Sequence, residues 1–214
     1  MIGWVSVCAL GIWVGLRVGV GYPALTRSYR VLRRSEVALL GAVSQAMFPP
    51  GGHIPASGLD ADLPGFVDRW MSVSQSQTRL AMHLLFFLIE HATVIFPAPG
   101  SHGRRRYSKL EYEQRVAVLE GWGESSLYPR RLVFVSLRSI LAMGYFTHPP
   151  VLRQLGVAPL AIESPIVEAD LLYPAIGTKS TSIAWTRDDL TTARESAPLL
   201  PGSPLHPDFA EKPS

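Results

Sequence analysis

His83 and Glu90 stand seven residues apart in a nearly unbroken apolar stretch. At ~100° per residue they project from almost the same face of a helix, with His91 displaced by about a quarter turn. Two imidazoles and a carboxylate are donor types that a zinc or other transition-metal site takes. A di-metal centre in a helical bundle would also draw Glu-x-x-His pairs from more than one helix, and the sequence contains none. His83, Glu90 and His91 are therefore read as polar positions satisfied within a buried helix or on its docking face. They are metal ligands only in the alternative reading, a stand-alone metal-dependent helical enzyme using His83 and Glu90.

Other catalytic patterns are missing from the chain. There is no Gly-x-Ser-x-Gly elbow, no Walker loop and no His-Glu-x-x-His, so no residue is assigned to catalysis or cofactor binding. "GVGYPA", residues 19–24, fits half of a dinucleotide fingerprint but lacks the strand–turn–helix context that gives the motif its meaning. "GRRRY", residues 103–107, is read as a solvated turn, with phosphate or an anionic membrane surface as the alternative ligand. The single cysteine, Cys8, rules out an intrachain disulfide and a cysteine-based zinc site. It lies among apolar neighbours, where burial raises a thiol pKa and leaves the group inert.

The elements that must carry these residues are helical throughout. Hydrophobic residues make up 47% of the 214 and charged ones only 17%, below the ~25% of a usual soluble domain. That imbalance raises the question of a membrane or of a large partner surface. A net charge of +3 comes from scattered arginines, not from a basic stripe interleaved with aromatics, so nucleic acid is not an expected partner.

Residues 1–24 form the first segment, apolar for 16 residues before Arg17 and again to Tyr22. A helix needs ~20 residues to cross ~30 Å of hydrocarbon, so residues 2–22 are expected to act as a membrane anchor. Arg27, Arg30, Arg33 and Arg34 follow it, which by the positive-inside rule is expected to put the body on the cytoplasmic side, with Arg17 snorkelling toward that face and a periplasmic body as the alternative. The other reading of this segment is a first helix packed on the body or on a partner.

The body, residues 34–158, reads as about five helices. Leu40, Val43 and Met47 recur at helical spacing up to "FPPGG"; Phe66, Val67, Trp70 and Met71 share one side of "DLPGFVDRWM". Residues 78–96 are apolar on nearly every face, which predicts a central buried helix. Ser108 and Glu111 are expected to form a capping box for the next helix, with Leu110, Val118, Leu119 and Trp122 inward. "YPRRLVFVSLRSILAMGYF" is expected to offer Leu132, Val133, Leu137, Ile140, Leu141 and Met143 to the core. Residues 159–214 hold eight of the 18 prolines and read as an extended or partly disordered tail. Leu171, Leu172, Tyr173 and Trp185 are its candidate anchors on a partner. The fold class is all-α: a compact helical bundle after an N-terminal hydrophobic helix, with an extended proline-rich tail.

The succession "EVALLGAVSQAMFPP", "LPGFVDRWM", "YSKLEYEQRVAVLEGW" and "LRSILAMGYFTHPPVLRQLG" resembles the gluconate 2-dehydrogenase subunit 3 family. These are small helical subunits that accompany flavin-dependent dehydrogenases of the glucose-methanol-choline (GMC) type. The stretch is also similar to the helical region before the flavin domain of long-chain alcohol oxidases. The likeness spans residues 34–158 and rests on two corners, Phe48 with Pro49, and Tyr145 and Phe146 with Pro149 and Gly156. It implies a noncatalytic subunit without a cofactor of its own, which binds and stabilises a larger GMC-type oxidoreductase that holds FAD. The remaining alternative is an unrelated membrane-anchored adaptor.

Overall fold

The structure, a computed structural model, describes residue 15 and residues 17–160, 187–190 and 204–210. The chain divides into two units, residues 1–151 and 152–214. Most of the expected anchor, and Leu171, Leu172, Tyr173 and Trp185, lie outside the described residues.

The first unit is all-α. Helix α1 (Arg34–Met47) starts where the Glu36 carboxylate reaches back to accept from the Arg33 amide at 2.7 Å, satisfying one of the donors that a helix start leaves open. It stops just before Pro49 and Pro50, which bias the preceding backbone away from helix. Helix α2 (Leu63–Val73) is capped by Asp62, whose Oδ1 accepts from the Gly65 amide at 3.3 Å, with Pro64 in the first turn. Helix α3 (Ser76–His91) runs into a 3₁₀ turn, Ala92–Val94. A second 3₁₀ turn, Tyr107–Lys109, precedes α4 (Tyr112–Gly123), and α5 (Tyr128–Phe146) follows.

Helix α1 is the centre. It packs on α2, α3, α4 and the Tyr107–Lys109 turn, and Leu39, Leu40 and Val43 on it are fully buried. This corrects the expectation for residues 78–96. Helix α3 buries only Phe86, Ile89 and Glu90 and leaves Leu80, Leu84, Phe87 and Leu88 exposed. A helix apolar all round must be covered on all sides, and within the described residues α3 is covered on one.

Two finer expectations also change. The helix after the arginine loop begins at Tyr112, with Glu111 as N-cap and Gln114 reaching back to its amide at 3.2 Å. Ser108 lies in the 3₁₀ turn and is engaged elsewhere, because Leu110 is drawn into the core between it and the helix. On α5, Leu137, Ile140 and Leu141 are buried as expected, whereas Leu132 and Met143 face out.

Helix α5 approaches α2 closely through Gly144. A Cβ there would stand 2.6 Å from Phe66 Cδ1 and 3.0 Å from Leu63 Cδ2. The two aromatic corners that carry the family resemblance meet at this end of the bundle. Phe48 and Tyr145 stack, and Phe146 closes edge-on against both. The Tyr145 hydroxyl donates to the Ala56 carbonyl at 2.7 Å. Pro149 then opens the short helix α6 (Pro149–Gln154), which seats Val151 in the core. Gly156 ends it in the left-handed region, φ 68°, with its amide donating to the Arg153 carbonyl and the Val157 amide to Leu152.

In the second unit, the stretch 204–210 returns to the start of the unit. Leu160 and Leu205 form an isolated antiparallel bridge, the His206 amide donates to the Pro159 carbonyl at 2.9 Å, and the Arg153 guanidinium donates to the Phe209 carbonyl at 2.8 Å. Among the described residues there is no strand beyond this bridge, and no helix is long and apolar enough to cross a membrane.

Candidate functional site

Helix α3 places His83, Glu90 and His91 along one side of a cavity of about 240 Å³, which Glu36, Phe86, Phe87, Arg33 and Val18 also line. The cavity is lined by two carboxylates and two imidazoles, Glu36 from α1 and the other three from α3. Each has a separate role.

His83 is held from α1. Its Nδ1 lies 2.6 Å from Glu36 Oε1, and since a carboxylate only accepts, this pairing puts the imidazole proton on Nδ1. The other oxygen of Glu36 accepts from the Arg33 amide. One buried carboxylate thus starts α1 and pins α3 to it.

Glu90 is held from the loop. Its Oε2 accepts from the Ser108 amide at 3.0 Å and its Oε1 from the Ser108 hydroxyl at 2.6 Å. The Ser108 carbonyl in turn accepts from Arg115 on α4, at 3.2 Å, and the same guanidinium donates to Gln45 of α1 at 3.1 Å. Burial pushes the Glu90 carboxyl above its ordinary value, against the opposing pull of the two Ser108 bonds and of Arg106. Tyr22 is pushed up to about 12 by burial and by the charge of Glu90, with the Arg106 guanidinium stacked 4.2 Å over its ring.

Among the described residues, His91 has no carboxylate paired with its ring. It packs against Phe87 with ring centroids 4.6 Å apart, and its Nδ1 is buried with no hydrogen-bond partner among the described residues. Burial, followed by the positive charges of Arg17 and Arg106, lowers its pKa to about 4, so the ring is neutral at neutral pH. Among the described residues no group of three His, Cys, Asp or Glu side chains is placed to hold a metal ion. The arrangement joins α1, α3 and the 103–109 loop through two polar clamps, His83 with Glu36 and Glu90 with Ser108.

The helical residues 17–19 and the chain that follows them are fastened to the same end of α3. Arg17 donates to Thr93 Oγ1 at 3.0 Å and to the Arg104 carbonyl at 2.8 Å. Arg106 donates back to the carbonyls of Arg17 and Val20, at 2.9 and 2.7 Å. These bonds direct the Arg17 guanidinium to the body, onto Thr93 and a carbonyl of the 103–106 loop.

Sequence reasoning missed Glu36 and Ser108 as partners of the α3 residues, because both look like ordinary helix-start residues. It also missed two apolar surfaces. On α3, Leu80, Leu84, Phe87 and Leu88 are 61, 55, 49 and 56% exposed. On α5, Tyr128, Leu132, Val135, Met143 and Phe146 are exposed at spacings of four, three, eight and three, which is one stripe along the helix. Large apolar surfaces left open in this way mark contact sites. Comparison of the chain with protein-family models, with curated proteins and with solved structures finds no match.

Proposed function

We propose that the chain is a noncatalytic small subunit that docks on and stabilises a larger FAD-dependent oxidoreductase of the GMC type, at a membrane. The α5 stripe is the observation that carries this reading. It runs the length of a 19-residue helix, about 28 Å at 1.5 Å per residue, with Tyr128 and Phe146 as aromatic anchors at its two ends. Obligate interfaces are apolar and extended, like a core cut in half, and their anchors are commonly aromatic. Exposed Ser136 and Arg138 flank the stripe, as the polar rim of such an interface does, and Ser139 lies within it between Val135 and Met143. The cavity supports the same reading, because its carboxylates and His83 are engaged in holding helices together. The family resemblance supplies the identity of the partner as a flavoprotein.

The test is purification of the tagged chain from its native host. A larger protein that co-elutes with it, shows a flavin absorption band and releases FAD on denaturation is the expected result. A stable, monodisperse, colourless monomer contradicts the reading.

A further inference from the structure

The apolar face of α3 is distinct in chemistry from that of α5. Between residues 80 and 88 its exposed side chains are Leu80, Ala81, Leu84, Phe87 and Leu88, with no charged group among them. Ile95 extends the face past the helix end. At that end the 103–106 loop is tied down: Arg104 donates to the Val94 carbonyl at 2.6 Å, and Thr93 Oγ1 donates to the Arg105 carbonyl at 2.5 Å. The side chains of Arg104 and Arg105 are exposed there. The apolar N-terminal segment enters the body at the same place, since Val18 lines the cavity beside Phe87 and Arg17 is bonded to Thr93.

We propose that this face of α3, with Arg104 and Arg105 at its end, rests on the surface of an anionic phospholipid bilayer. Charge and geometry agree on that occupant. An interfacial helix sinks its apolar side ~5–10 Å into the boundary between headgroups and acyl chains, while basic residues at its edge meet the anionic headgroups. Where residues 1–16 enter a bilayer, the bonds of Arg17 and Arg106 leave no slack before α3, so Phe87 and Leu88 come to the lipid with them. This inference rests on the membrane half of the reading above and does not depend on the flavoprotein half.

The test uses the full chain in phosphatidylcholine vesicles containing phosphatidylglycerol, with an environment-sensitive thiol label and nitroxide-bearing lipids as quenchers. Cys8, the only cysteine, reports entry of the N-terminal segment. Leu84→Cys in a Cys8→Ser chain reports the α3 face, and Val135→Cys in the same chain reports α5. Labels at 8 and 84 are expected to shift to the blue and be quenched, with the label at 135 unmoved. Removing phosphatidylglycerol, or introducing R104Q together with R105Q, is expected to reduce quenching at 84 by half or more while quenching at Cys8 persists. Quenching at Cys8 with position 84 still in water overturns the proposal, and is also the result if a protein partner covers α3. No quenching at Cys8 removes the membrane reading and the proposal with it. Quenching at 84 that ignores both the anionic lipid and the arginines overturns the charged part of the contact.

Discussion

Phe48 and Tyr145, at the ends of helices that are far apart in sequence, stack with ring centroids 4.1 Å apart and planes 14° from parallel. The pair closes the bundle, and the Tyr145 hydroxyl bonds the loop between α1 and α2 at Ala56. Tyr145→Phe is expected to cost about 1 kcal/mol, the net value of one buried hydrogen bond. Phe48→Ala is expected to cost about 3 kcal/mol, the low end for a core aromatic because the ring is half-buried. In a double-mutant cycle with Tyr145→Ala, followed by urea unfolding, the coupling energy is expected to be ~0.5–1.5 kcal/mol. Strict additivity contradicts the stack.

Gly144→Ala places a methyl group 2.6 Å from the Phe66 ring. Overpacking of this kind costs ~1–3 kcal/mol, read as a lower urea midpoint with an unchanged slope. The double variant Gly144→Ala with Phe66→Leu is expected to recover part of the loss, because the clash is with that ring.

Asp68 holds the chain entering α1, its two oxygens accepting from the amides of Arg30, Val31 and Leu32 at 2.9, 3.0 and 3.0 Å. Burial raises its pKa, but the three amide bonds together outweigh burial, and the carboxyl lies below its ordinary 3.8. A depressed folded-state pKa adds stability that is present above the unfolded value and is lost as pH falls through the folded one. Asp68→Ala is expected to cost about 2–3 kcal/mol at neutral pH. The gap between wild type and variant should narrow below about pH 4 in acid titrations of stability, and a gap independent of pH contradicts the role.

Glu90 has the opposite sign. Its folded pKa is raised above 4.5 by burial, so the native state keeps a proton that the unfolded chain releases. Stability contributed by this group therefore falls as pH rises from about 4.5 through the folded pKa. Relative to wild type, Glu90→Gln is expected to gain stability progressively across that window, its one carbonyl oxygen keeping the Ser108 amide bond while the Ser108 hydroxyl turns to accept from the NH2 group. Ser108→Ala removes the hydroxyl donor and is expected to cost ~1–3 kcal/mol.

The fold class and the inward residues of α1 and α2 were legible because their apolar residues recur on one helical face, and those of α4 because Val118, Leu119 and Trp122 are among its large apolar residues. Helix α3 was not. Its sequence is apolar on all sides, and a sequence alone cannot distinguish a helix buried by its own chain from one open toward lipid or a partner. The boundary of α4 moved because Glu111 and Gln114 compete with Ser108 and Glu111 for the same cap, and Ser108 is claimed by Glu90 across 18 residues. The pairing of His83 with Glu36 spans 47 residues, a contact with no local sequence signal. The aromatic corners were visible as residue types, whereas their meeting required the packing of α1 against the bundle.

The central claim is that the chain works by docking through α5. It is tested most directly by purifying the tagged chain from the native host, assaying the eluate for the proposed flavoprotein, and repeating this with Leu132→Asp and Val135→Asp together. These positions are exposed, so the variant is expected to keep the wild-type circular dichroism and unfolding midpoint. The account predicts loss of the flavin-bearing partner from the variant and its retention by Leu80→Asp on α3. A variant that folds normally and still co-elutes with the same amount of bound flavin contradicts it.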